Sequence, residues 1–161
     1  MPAAQFWIEP ARTEADMAGV AELFRAYAES LGIDLGYQGF EAELASLPGN
    51  YAPPQGELLL ARDGEGEPVG CVAVKPILPE RCCEMKRLYV APRGRGVGLG
   101  KALMNAILET AAHLGYREMR LDTLPSLVEA VSLYRMGGFE EIPPYYDTPV
   151  EGTIFMGRRL P

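Results

Sequence analysis

The stretch Tyr89-Val90-Ala91-Pro92-Arg93-Gly94-Arg95-Gly96-Val97-Gly98-Leu99-Gly100-Lys101 joins a strand to a helix. Its alternating glycines let the backbone come close to a ligand and adopt positive φ where needed. The start of the following helix offers unpaired N–H groups and the positive end of a dipole, which together attract an anion. Arg93, Arg95 and Lys101 add positive charge. The loop therefore reads as a phosphate site. Two familiar phosphate patterns do not match it. A Walker loop requires glycine where Arg95 stands and Ser or Thr where Ala102 stands. The dinucleotide pattern G-x-G-x-x-G would place its third glycine on Leu99, Lys101 or Leu103.

Working outward, a helix is expected from about Gly98 to Leu114, with Leu99, Ala102, Leu103, Ala106 and Ile107 on one face. Upstream, Glu57–Ala61 and Val69–Val74 read as a hairpin around Asp63-Gly64-Glu65-Gly66, followed by a strand over Cys83–Val90. Phe6–Ile8 is a short opening strand. Thr13 and Asp16 form a capping box that opens a helix running to about Leu31, where Gly32 stops it. A second helix covers Phe40–Leu47. Downstream, Arg117–Asp122 is a strand, and Ser126 with Glu129 suggests a second capping box before a helix that ends at Gly137-Gly138. Phe139–Ile142 and Thr153–Arg159 close the chain as strands. The order β-α-α-β-β-β-α-β-α-β-β gives an α/β domain with a mixed sheet, spanning 1–161 as one unit.

Bulk properties exclude several classes. The 161 residues are 48% hydrophobic, enough for one buried core. A net charge of −7 argues against a nucleic-acid partner. No apolar run approaches the ~20 residues of a membrane helix. Met1–Glu9 lacks the features of a signal peptide, so a cytoplasmic address is expected. A single histidine, His113, makes a histidine metal site or a Ser-His-Asp hydrolase a poor fit, and its place late in a helix suits a surface residue. Cys71, Cys82 and Cys83 read as small apolar strand residues in a reducing compartment.

Arg95-x-x-Gly98-x-Gly100 resembles the R/Q-x-x-G-x-G/A motif of the GNAT superfamily of N-acetyltransferases. Glu84–Val90 is similar to that family's fourth strand, and Leu133-Tyr134-Arg135-Met136-Gly137-Gly138-Phe139 to its late L-Y-x-x-x-G-F signature. The resemblance implies a GNAT fold, with a splayed fourth and fifth strand and about four flanking helices. It implies acetyl-CoA as co-substrate, with no metal and direct transfer to an amine of a small molecule or peptide. Leu88, Tyr89 and Val90 would hold the pantetheine arm. Arg95, Gly96, Val97, Gly98, Leu99, Gly100 and Lys101 would hold the pyrophosphate. A backbone N–H near Leu88 would meet the oxyanion. Family habit makes a homodimer plausible.

By the same resemblance Tyr134 is the acid that protonates the leaving thiolate; taken alone it reads as a core tyrosine. Glu84 is the candidate base, since in an unbulged strand it shares parity with Leu88 and Val90. Its alternative is a carboxylate paired with Lys86 or Arg87. Asp122, at a strand end across the cleft, is a second group able to hold an amine. The loop Pro143–Pro149 and the segments near Tyr27, Tyr37 and Tyr51 could wall the acceptor site or merely connect elements. A non-catalytic acyl-CoA-binding module, or a transferase for a longer acyl group, would share the loop.

Overall fold

The computed structural model describes residues 5–161; Met1–Ala4, part of the segment read for a leader, lie outside the described residues. A seven-stranded sheet runs in the order β1-β2-β3-β4-β5-β7-β6. The strands are β1 (Phe6–Pro10), β2 (Glu57–Asp63), β3 (Pro68–Ile77), β4 (Cys82–Val90), β5 (Glu118–Thr123), β6 (Glu140–Ile142) and β7 (Ile154–Arg159). Every neighbouring pair is antiparallel except β4 and β5. The mixed sheet matches the reading from sequence, and four α-helices flank it: α1 (Glu14–Leu31), α2 (Phe40–Ser46), α3 (Leu99–His113) and α4 (Val128–Met136). None of the described helices is long and apolar enough to cross a membrane.

Each face of the sheet has its own core. Val72, Val74, Cys83, Met85, Met119 and Leu121 pack against Leu103 and Ile107 of α3 and Tyr134 of α4. Leu58, Leu60, Cys71 and Ala73 pack against Val20, Leu23 and Phe24 of α1 and Phe40 of α2. Alternation along each strand feeds both. The Thr13–Asp16 capping box forms as expected at the start of α1. The one read at Ser126 and Glu129 does not. Leu127 is the N-cap of α4 and no side chain caps it. Ser126 and Glu129 border the cleft described below.

A β-bulge reshapes β4. Cys71 pairs with Tyr89 and Ala73 with Lys86, so Val72 alone faces both Arg87 and Leu88. Arg87 takes φ +62°, a left-handed conformation costly for a residue with a Cβ. The parallel pairing of β4 and β5 covers only Cys82–Glu84 with Glu118–Arg120. Beyond it the strands splay, leaving the edge of Leu88–Val90 unpaired toward β5.

Candidate functional site

The splay opens a cleft of ≈590 Å³ bordered by Leu88, Tyr89, Val90, the glycine loop and the first turn of α4. Its floor is the free main-chain edge of β4. Its far end is the N-terminus of α3, where Gly98 has φ +79° and supplies no side-chain cap, so the first N–H groups of the helix are open to a ligand. Gly96 also takes positive φ, at +85°. Arg95 donates from Nε to the Val90 carbonyl at 3.0 Å, and its guanidinium lies over the Tyr89 ring at 5.9 Å. That leaves its outer nitrogens for an anion.

The residues expected to hold a pyrophosphate fall into groups. Arg95, Gly96, Gly98, Leu99 and Gly100 line the cleft. Val97 and Lys101 are exposed and are not among its lining residues. The Leu99 side chain belongs to the core, 2% exposed, so only its main chain can serve a ligand. Arg93 is tied to the Pro68 carbonyl at 2.6 Å.

At the apex, where the cleft narrows, Leu88, Met85, Leu121 and Tyr134 enclose a small cavity with Tyr27, Lys86, Arg87 and Asp122. Its ≈10 Å³ of free space accommodates about one water. Tyr134 packs edge-on against Phe139, with ring centroids 6.0 Å apart. Burial holds its hydroxyl far above the ordinary range, so it stays protonated. Among the described residues no group bonds that hydroxyl, yet it is not a buried unsatisfied atom, so it opens to the cavity.

Glu84 does not face the way parity suggested. The bulge inserts one residue between Glu84 and Leu88, which turns Glu84 and Lys86 to the α1–α2 side while Leu88 and Val90 point to the α3 side. Glu84 is 4% exposed. Its Oε2 accepts from the Tyr145 hydroxyl at 2.5 Å, and its Oε1 lies 3.8 Å from Lys75 Nζ and 4.0 Å from Lys86 Nζ. Asp122 lies close by, its Oδ2 accepting from the Tyr146 hydroxyl and 3.8 Å from Lys86 Nζ. Tyr145 and Tyr146 pack on each other and on Phe155 with centroids 5.2–5.5 Å apart, so the β6–β7 loop closes over this floor.

Arg87 anchors the opposite wall. It forms a two-pronged ion pair with Glu43 of α2, at 2.9 and 3.0 Å, and its guanidinium lies 5.2 Å from the Phe40 ring and 5.8 Å from the Tyr27 ring. Burial works most strongly against its charge, but the bonds to and charge of Glu43, together with Tyr51 and Tyr27, outweigh it and push its pKa up. Lys86 goes the other way: desolvation lowers its pKa, with Asp122 and Glu84 only partly offsetting it. The buried Cys71 and Cys83 thiols are pushed up by desolvation and are inert as nucleophiles.

Sequence reasoning did not find the Lys86–Arg87–Gln38–Glu43 cluster. Adjacent strand residues normally face opposite sides, and only the bulge brings Lys86 and Arg87 to one side. Nothing in the local pattern signals it.

Comparison with known proteins bears on this geometry. The model of the acetyltransferase (GNAT) family matches residues 17–139. An uncharacterized N-acetyltransferase of Schizosaccharomyces pombe is 43% identical over 141 residues, 88% of this chain and 86% of that protein. One of Escherichia coli is 32% identical over 131 residues, 79% of this chain and 78% of that protein. The crystal structure of a GNAT-family acetyltransferase from Staphylococcus aureus superposes with a TM-score of 0.81 at 19% identity, covering 98% of this chain and 100% of the other. The overall fold is thus shared, and the chain belongs to the GNAT family of acetyltransferases.

Proposed function

We propose that this chain transfers the acetyl group of acetyl-CoA directly to a primary amine of a small molecule or peptide. The observation that carries the reading is the unpaired main-chain edge of Leu88–Val90, which runs from the apex beside Tyr134 to the open N-terminus of α3. Pantetheine pairs along that edge as a further strand would. The pyrophosphate rests on Arg95 and the N–H groups of Gly96–Lys101. The Leu88 N–H meets the developing oxyanion.

The amine arrives from the α1–α2 side, where Glu84 and Asp122 stand. An ammonium must lose a proton before it can attack, and Glu84 serves as the base that accepts it. Nitrogen then bonds to the acetyl carbon, the carbon–sulfur bond breaks, Tyr134 protonates the departing thiolate, and the second proton shed by the acylated nitrogen restores the Tyr134 hydroxyl. The three free, buried thiols suit a cytoplasmic setting.

The test is thiol release from acetyl-CoA across a panel of amines. Tyr134→Phe should lower kcat by about 100-fold and leave the KM for acetyl-CoA within about twofold. Unchanged turnover would remove Tyr134 as the acid. Glu84→Gln should abolish the acidic limb of the pH–rate profile; a limb that persists would remove Glu84 as the base.

A further inference from the structure

One oxygen in the acceptor floor has unusual neighbours. Gln38 Oε1 accepts from Lys86 Nζ at 3.0 Å and from Arg87 Nη1 at 2.9 Å. Two buried cations thus converge on a single uncharged atom. Arg87 is otherwise neutralised by Glu43, but Lys86 has its carboxylates only at 3.8 and 4.0 Å, beyond hydrogen-bond reach. A carboxylate would fill this point better than an amide does, because bonds from cations to ionised oxygens are roughly twice as strong as neutral ones.

Gln38 is replaceable there. It is only half-buried and ends a short 3₁₀ turn (Leu35–Gln38) between α1 and α2. Its other contact is a bond from Nε2 to the Tyr37 hydroxyl at 3.0 Å. It also borders an open pocket of ≈200 Å³ with Glu43, Asn50 and Lys75, so its side chain can be reached from outside.

The matching feature is Asp122. Its Oδ2 is occupied by Tyr146, while its Oδ1 is not a buried unsatisfied atom and is left for a ligand. Asp122 shares the apex cavity with Lys86, Leu88 and Tyr134. A seat for a carboxylate at Lys86 and a seat for an ammonium at Asp122 therefore adjoin, beside the acyl position.

We infer that the acceptor is a free α-amino acid: its carboxylate displaces the Gln38 oxygen between Lys86 and Arg87, and its α-ammonium bonds Asp122. The inference rests on the acetyl-transfer reading above. The ammonium gives up one proton before attack, nitrogen takes the acetyl group as the thioester bond breaks, and the thiolate is protonated. The products are an N-acetyl amino acid, free coenzyme A and one proton.

The experiment compares proteinogenic L-amino acids with their decarboxylated amines and α-amides, for instance L-phenylalanine with phenethylamine and L-phenylalaninamide. Thiol release is read in parallel with calorimetric titration of the amino acids into the full chain. The kcat/KM for the amino acids should exceed that for the matched amines by about tenfold or more. Gln38→Glu, which places a carboxylate of the protein's own in the seat, should collapse that ratio and weaken amino-acid binding. Lys86→Met should do the same, and Lys86→Arg should restore much of it. Amines and amides turning over as well as amino acids, or a ratio indifferent to Gln38→Glu, would overturn the inference and leave acetyl transfer standing. If no amine releases thiol, amino-acid binding lost in Gln38→Glu upholds the seat and rejects the transfer reading. Absence of both release and binding rejects the two together.

Discussion

On the proposed donor side of the cleft the groups offered to a ligand are, apart from the Arg95 guanidinium, main chain: the edge of Leu88–Val90 and the first N–H groups of α3 behind Gly98. On the acceptor side they are buried charged side chains, with Glu84 and Lys86 from β4, Asp122 from β5, Glu43 from α2 and hydroxyls from the β6–β7 loop. The first half is built from one contiguous segment and asks little of residue identity beyond glycine. The second is assembled from four separate segments and depends on each side chain. One fold can therefore keep a shared donor while the acceptor wall varies.

The bulge at Arg87 is where the two halves meet, and breaking its support should have the largest effect. Glu43→Ala leaves a buried guanidinium facing only the Gln38 oxygen. The expected cost is about 3 kcal/mol of unfolding free energy, read by denaturant titration, at the low end for a broken buried pair because Glu43 is 16% exposed. Arg87 also holds the left-handed turn that frees the Leu88 N–H, so the KM for acetyl-CoA should rise as well. An acetyl-CoA KM untouched by Glu43→Ala would show the two halves to be independent.

Gly98→Ala probes the donor side alone. A Cβ at Gly98 would find no atom within 4 Å, so no clash arises. The penalty is conformational: φ +79° costs a residue with a Cβ about 1–2 kcal/mol. Relief of that strain would turn the N–H groups of Leu99 and Gly100 away from the anion. The KM for acetyl-CoA should rise about tenfold, with the acceptor KM measured at saturating acetyl-CoA unmoved. A coenzyme KM unaffected by this change would remove the loop as the phosphate site.

The same contrast explains what was legible in the sequence. The glycine loop, the α3 stripe and the Thr13 cap are local patterns, and the structure forms each where the pattern lies. The mixed sheet followed from the element order and its splayed parallel pair from the family resemblance, whereas the exchange of β6 and β7 at the sheet edge was not read from the sequence. The bulge left no local signature because its αL residue is an arginine rather than a glycine, and with it went the facing of Glu84. Ser126 and Glu129 carried a capping pattern, but Leu127 took the cap position and left both on the cleft border. The pairings of Gln38 with Lys86 and of Tyr145 with Glu84 span 48 and 61 residues and exist only once the fold is complete.

A control should separate stability from either half of the site. Asp16 closes the capping box: its Oδ2 accepts from the Arg12 and Thr13 N–H groups, and its Oδ1 from Arg62 at 2.8 Å. The Arg12 N–H, with Arg62, pushes its pKa down to about 2 from the ordinary 3.8. A carboxyl whose pKa is lower in the folded chain stabilises the fold above its unfolded value and loses that contribution as pH falls. Asp16→Asn should therefore cost about 0.5–1 kcal/mol at pH 7, kept small by solvent screening of a partly exposed group. The gap in stability from the parent should close between about pH 4 and pH 2, as read by thermal unfolding at stepped pH. Because Asp16 lies at the far end of α1 from Tyr27, both KM values should stay put. A shift in either would mean that the entry of α1, and not only its Tyr27 end, sets the acceptor wall.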